Sequence, residues 1–277
     1  MRRLLLLPLL LALVPAALAQ SAEEVMREAL ARYESEMAGI RDYTLTQEVI
    51  GNEVTTYAER TEGGGPLAYT YYVVTPGGLY DVGEGEERAA ANNPFLMLDR
   101  VADEARYVGT EDVGGVRSHV LAVDDFGDIA REAGAIPPQA DGEFDIDEAT
   151  FYLGTDDYRL RKMTMEGTMT NDGRTSPVRF ETVFSDFRTV DGFTTPFRTD
   201  MTMQGVEGQM SDAEREDARR QLEEARQQMG QMPPAQRQMM ERMMGDQLEK
   251  LEQMLGGEGF AMEIVVTDVA VNTGRPE

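Results

Sequence analysis

The chain's one histidine, His119, sits beside Ser118, and this is the first place to look for chemistry. Nucleophilic hydrolysis needs a hydroxyl, a base and an acid that orients the base. Neighbours on a strand point to opposite faces, so Ser118 cannot pass a proton to His119. Neither a nucleophile elbow nor a zinc motif surrounds the pair, and His119 reads as structural. Carboxylates are plentiful, 51 Asp and Glu against 26 Lys and Arg, for a net charge of −25. A glycosidase would need two of them flanking one bond, yet in so acidic a chain any chosen pair is coincidence. Asp124, Asp125 and Asp128, then Asp141, Asp145, Asp147 and Glu148, gather hard oxygens without the spacing or central glycine of a calcium loop. They are expected in solvated loops. No phosphate-cradling glycine loop follows a strand. The absence of cysteine excludes disulfides, thiolate zinc sites and thiol catalysis. No catalytic group, metal or cofactor is assigned, and the chain is expected not to be an enzyme. The negative charge also speaks against nucleic acid as a partner, because it repels phosphates.

Thioethers are the remaining soft chemistry. The chain has 18 methionines and no tryptophan. In Met239-Met240-Glu241-Arg242-Met243-Met244, residues four apart stack on a helix. Such pairs could hold Cu(I), but no histidine or cysteine supports a metal there. An apolar helix face, or an adaptable surface for lipid or unfolded chains, needs no metal.

The elements that place these residues begin after a leader. Met1-Arg2-Arg3, the apolar run to Leu18 and Ala17-Leu18-Ala19 read as a cleavable signal peptide over residues 1–19. The mature chain, 20–277, is expected as a single domain working outside the cytoplasm. Residues 22–38 carry Val25, Ala29, Leu30, Tyr33 and Met37 at helical spacing. Alternating strands follow, broken by a helical stretch over 87–105. The second half is a meander whose turns include Asp191-Gly192. One face of this meander is apolar: Met163 and Met165 on one strand, Phe180 and Phe184 on the next, Met201 and Met203 on a third. Tyr69 and Tyr71 alternate in the same way on an early strand. Between the last two strands, 208–257 reads as an inserted helical hairpin, opened by the capping box Ser211-Asp212-Ala213-Glu214. The class is α+β, an antiparallel meander with covering helices.

The order of three motifs carries a family resemblance. Asp42-Tyr43-Thr44-Leu45-Thr46-Gln47-Glu48-Val49 comes first, then Asn92-Asn93-Pro94-Phe95-Leu96-Met97-Leu98, then the stretch from Phe184 to Pro196. Together with the leader, this resembles the outer-membrane lipoprotein-sorting carriers, the LolA-like periplasmic family, over residues 23–204 and 260–272. The 208–257 hairpin departs from the family pattern. The resemblance implies a half-open antiparallel β-barrel closed by short helices, with a cavity for the acyl chains of a lipoprotein or lipid. It further implies transport partners at the inner and outer membranes, and a lid helix at Phe95, Met97 and Leu98. A latching strand arginine followed by proline finds its nearest match in Arg60 and Pro66, but Thr61-Glu62-Gly63-Gly64-Gly65 interrupts the pattern, so Arg60 is assigned no role. The expected acyl site is Tyr69, Tyr71, Phe95, Met97, Leu98, Met163, Met165, Phe180, Phe184, Met201 and Met203. Exposing acyl chains to water costs about 0.8 kcal/mol per methylene, which a dry concave face recovers. The same side chains suit a solid core or a hollow trough, and both remain open at this point. A second reading makes the Met-rich hairpin the working part of a periplasmic chaperone or envelope-stress interaction module.

Overall fold

A computed structural model describes residues 21–63, 67–75, 78–81, 98, 101–127, 129, 143–171, 173–205, 216–220, 222–224, 227 and 259–276. Residues 1–19, expected as a signal peptide, Phe95, Met97 and most of the 208–257 insertion lie outside the described residues. Residues 216–220, 222–224 and 227 of the insertion are helical, which does not by itself support a two-helix hairpin.

Eleven antiparallel strands form one open sheet. They are β1 (Asp42–Val49), β2 (Asn52–Arg60), β3 (Tyr69–Thr75), β4 (Gly78–Asp81), β5 (Arg106–Val113), β6 (Val116–Asp124), β7 (Glu143–Gly154), β8 (Leu160–Asn171), β9 (Arg174–Val190), β10 (Phe193–Gln204) and β11 (Phe260–Val271). Their order is β4-β3-β2-β1-β11-β10-β9-β8-β7-β6-β5. The last strand is thus inserted between the first and the tenth, pairing Tyr43 with Val271 and Met201 with Met262. The two ends, β4 and β5, are not paired with each other, so the sheet is open rather than a closed barrel. Register shifts at Thr46/Gln47, Tyr107/Gly109, Ile146/Glu148 and Tyr152/Leu153 add local bends.

Two differences from the sequence reading have local causes. Asp145 and Asp147 are not in a loop: β7 begins at Glu143, and Phe144 and Ile146 alternate with the acidic residues as a half-buried strand requires. β4, four residues long, is too short to show an alternation of its own.

The helix α1 (Ala22–Met37) forms for ordinary reasons. Ser21 caps it, its Oγ accepting from the Glu24 N–H at 3.1 Å, and Glu23 and Glu24 complement the helix dipole. Its buried stripe is Ala22, Val25, Met26, Ala29 and Met37. The first four pack with Leu121, Val123, Ala149, Phe151, Leu153 and Leu160 of β6–β8. Met37 packs with Tyr43, Ala58, Tyr69, Tyr71, Phe193 and Val271 at the other wing of the sheet. One helix therefore ties both wings together, each fully buried Val or Met contributing about 1.5–3 kcal/mol.

Candidate functional site: the apolar inner face

Cross-strand register decides which side chains share the face on which α1 lies. One row runs Leu121, Phe151, Met163, Thr182, Met201, Met262 from β6 to β11. The next runs Val123, Ala149, Met165, Phe180, Met203. Phe184 lies opposite Thr199, and Thr199 opposite Ile264. The six expected residues of β8–β10 therefore share one face of three adjacent strands.

Burial divides this face. Leu121, Val123, Ala149 and Phe151, beside α1, are completely buried. Met163, Met165, Phe180, Phe184, Met201, Met203 and Met262 are half-buried, as are Phe144 and Ile264. Phe144 and Phe180 meet at a ring-centroid distance of 5.9 Å. Tyr69 and Tyr71 are in the packed wing under the C-terminal end of α1, each 4 % exposed, and Leu98 is 0 % exposed against the other cluster. Under α1 the face is sealed; across β8–β11 it is half-buried, with Met163, Met165 and Phe184 packed against the sealed cluster and Thr182 buried between Met163 and Met201.

Two polar clips hold α1 in place. Arg60, at the end of β2, donates from Nη2 to the carbonyls of Met37 and Ile40, the latter at 2.6 Å. Tyr69 Oη donates to the same Ile40 oxygen at 2.7 Å. The last turn of α1 carries no cation, so Arg60 supplies from another element the positive charge that helix C-termini favour. The second clip is Arg159, whose Nη2 reaches Glu36 Oε1 at 2.9 Å. Arg161 pairs with Asp157 and lies 4.5 Å over the Phe187 ring. The interrupted Arg60…Pro66 pattern gave Arg60 no role in the sequence, and its partners, carbonyls 23 and 20 residues upstream, have no motif of their own.

Near the second clip, Ala29, Arg32, Glu36, Tyr158, Arg159 and Pro196 border a cleft of about 20 Å³. That is room for about one water molecule, not for an acyl chain.

Burial, then the neighbouring Tyr71 and Tyr33, push Tyr43 well above the usual tyrosine range. Tyr43 Oη donates to Tyr71 Oη at 3.3 Å. His119 is equally plain: 5 % exposed, with Nδ1 3.2 Å from Tyr107 Oη and its ring stacked on Tyr158. Burial lowers its pKa. Ser118 Oγ donates to the Val116 carbonyl at 3.1 Å, so the two neighbours form no nucleophile–base pair. Asp124 and Glu148 both face Arg106, at 3.3 and 3.7 Å. Among the described residues no three His, Cys, Asp or Glu side chains are grouped to hold a metal. Among them, too, no helix is long and apolar enough to cross a membrane.

No protein-family model matches the chain, and no curated protein matches it. Solved structures to which it is similar include a domain described as outer membrane lipoprotein-sorting, from Vibrio parahaemolyticus, at 12 % identity and TM-score 0.42, covering 92 % of this chain and 94 % of that one. A DUF1329 family protein from Desulfovibrio piger matches at 9 % identity and TM-score 0.36, over 91 % and 95 % of the two chains. A LolA superfamily protein from Nitrosomonas europaea matches at 8 % and TM-score 0.29, over 65 % and 85 %. Two of the three carry the family designation that the sequence motifs resemble.

Proposed function

We propose that this protein is a non-catalytic periplasmic carrier that holds the acyl chains of a lipid or lipoprotein on the inner face of its sheet. The observation that carries the reading is the half-open apolar band on β8–β11, continuous with the sealed core under α1. Burying an acyl chain on such a face returns about 25 cal/mol for each Å² of apolar surface removed from water. Methionine suits the task, because its unbranched thioether adapts to chains of different shape. Met163, Met165, Phe180, Phe184, Met201 and Met203 are the proposed contacts. Tyr69, Tyr71 and Leu98 are proposed to act from beneath, as the packed floor against which α1 closes. The leader over 1–19 and a single mature domain over 20–277 belong to the same proposal, as does delivery between membrane partners.

The test is direct. Protein purified from a cell envelope is extracted for bound lipid, and the delipidated protein is titrated with a fluorescent fatty acid. Native protein is expected to yield lipid and to bind the probe. Phe180→Asp and Met201→Asp, which place a charge on the half-open band, are expected to weaken binding by about tenfold or more while leaving the circular dichroism spectrum unchanged. Repeated recovery of lipid-free protein that ignores the probe ends the carrier reading.

A further inference from the structure

Of the eight methionines of the described residues, two are sealed, five lie in two adjacent rows of the inner face, and Met169 stands apart on β8, half-buried opposite Phe144 and Ser176. Met26 and Met37 are sealed under α1, at 0 % and 1 % exposed. Met163, Met165, Met201, Met203 and Met262 are half-buried on the inner face. They occupy two adjacent rows across β8–β11, with Met201 opposite Met262, Met163 across Thr182 from Met201, and Met165 across Phe180 from Met203. The chain contains neither cysteine nor tryptophan, so no thiol or indole competes for a two-electron oxidant. Among the described residues, most of the methionine sulfur is thus on the face proposed to hold the acyl chain.

We infer that these five methionines form an oxidation-sensitive modification site through which hypohalous acids or peroxides switch the inner face from apolar to polar. In each event a sulfur lone pair takes the electrophilic oxygen of the oxidant. One S–O bond forms; with hypochlorous acid the O–Cl bond breaks and chloride and a proton leave, and with hydrogen peroxide the O–O bond breaks and water leaves. The thioether becomes a sulfoxide, a polar and chiral group that sulfoxide reductases can return to methionine. An acyl chain then faces S=O dipoles that it cannot hydrogen-bond, and is released. The switch rests on the reading of this face as an acyl-binding surface; the selectivity of oxidation does not.

The experiment treats the mature chain with graded hypochlorite, quenches with free methionine, maps sulfoxide at every methionine by peptide mass spectrometry, and measures binding of a dansyl fatty acid on the same samples. Sulfoxide at the five positions is expected to lead that at Met26 and Met37 by about tenfold, with affinity for the probe falling by about tenfold and returning after sulfoxide reductase treatment. A variant with all five changed to leucine, a near-isosteric swap, is expected to bind the probe and to keep binding it after oxidation. Equal rates at sealed and half-buried methionines overturn the inference and leave the carrier reading intact. So does an oxidant-driven loss of binding as large in the leucine variant as in the native chain. Should that variant not fold, the native time course decides, because probe release that fails to track sulfoxide at these five positions also overturns it. Native protein that never binds the probe defeats the carrier reading, and the switch with it, whatever the map shows.

Discussion

Arg60 donates to the carbonyls of Met37 and Ile40 at the point where α1 runs out of internal partners. Replacing it with methionine keeps much of the apolar stem and removes the donors. Arg60→Met is expected to lower stability by about 1–3 kcal/mol in urea unfolding, the usual cost of orphaning buried acceptors. Acid should act through two further side chains. His119 is held below the usual histidine range by burial, so the unfolded chain binds the proton first. Its contribution is complete above the unfolded value of about 6.5 and is lost as pH falls through the folded one. Glu59 is lowered chiefly by its hydrogen bonds from Arg275, opposed by burial and helped by Tyr72 and Tyr57. Its contribution is present above the unfolded carboxylate value, about 4.3, and is lost below that. Stability measured against pH should therefore fall in two stages, and His119→Phe should remove the upper stage alone.

The helix and the strand ends respond to different changes. Met26 is fully buried in the cluster that α1 shares with β6–β8, so Met26→Ala should cost about 2–5 kcal/mol and loosen the cover over the sheet. Hydrogen exchange is expected to show faster opening of α1. At the far end, Gly205 closes β10 with φ +91°, where a Cβ would meet the Pro177 carbonyl oxygen at 1.9 Å. Gly259 opens β11 with φ +80° and approaches the Met203 oxygen in the same way. These two glycines bracket the insertion, and the backbone passes them too closely for any side chain. Gly205→Ala is expected to lower the melting temperature through steric strain, without change in the pH profile. The hairpin turns Gly114-Gly115 and Asp191-Gly192 carry positive φ at both positions, the geometry that two-residue loops demand. They were legible from sequence because that demand is local.

Placement of β11 governs the molecule as a whole. Its removal, by ending the chain after Gly259, takes away the strand shared by β1 and β10. The β1–β4 wing would then be joined to the rest mainly through α1, and two-state unfolding should give way to two transitions or to no stable fold in calorimetry. The charge of the whole chain has a separate consequence. At −25 the protein should bind neutral or cationic vesicles in preference to strongly anionic ones, with a difference that shrinks as salt screens the charge. Vesicle co-sedimentation at two ionic strengths measures it.

By itself, the sequence determined what depends on neighbours along the chain. The span of α1, the two-residue turns and the alternation that pairs Met163 with Met165, Phe180 with Phe184 and Met201 with Met203 within their own strands follow from periods of 3.6 and 2 and from local turn geometry. The three strands bring these residues to one face because their mutual registers are unshifted and the shifts elsewhere fall outside the segments that carry them. Only the tertiary structure decided how much of that face is sealed. Pairing of Tyr43 with Val271 joins residues from opposite ends of the chain, and every strand here offers a similar alternation, so pattern alone could not choose the partner. Where α1 comes to lie, and hence why Tyr69 and Tyr71 are packed while Met201 and Met203 stay half-buried, depends on two wings closing around one helix and on an arginine reaching carbonyls in another element. Burial is a sum over such distant contacts, and no stretch of sequence holds it alone.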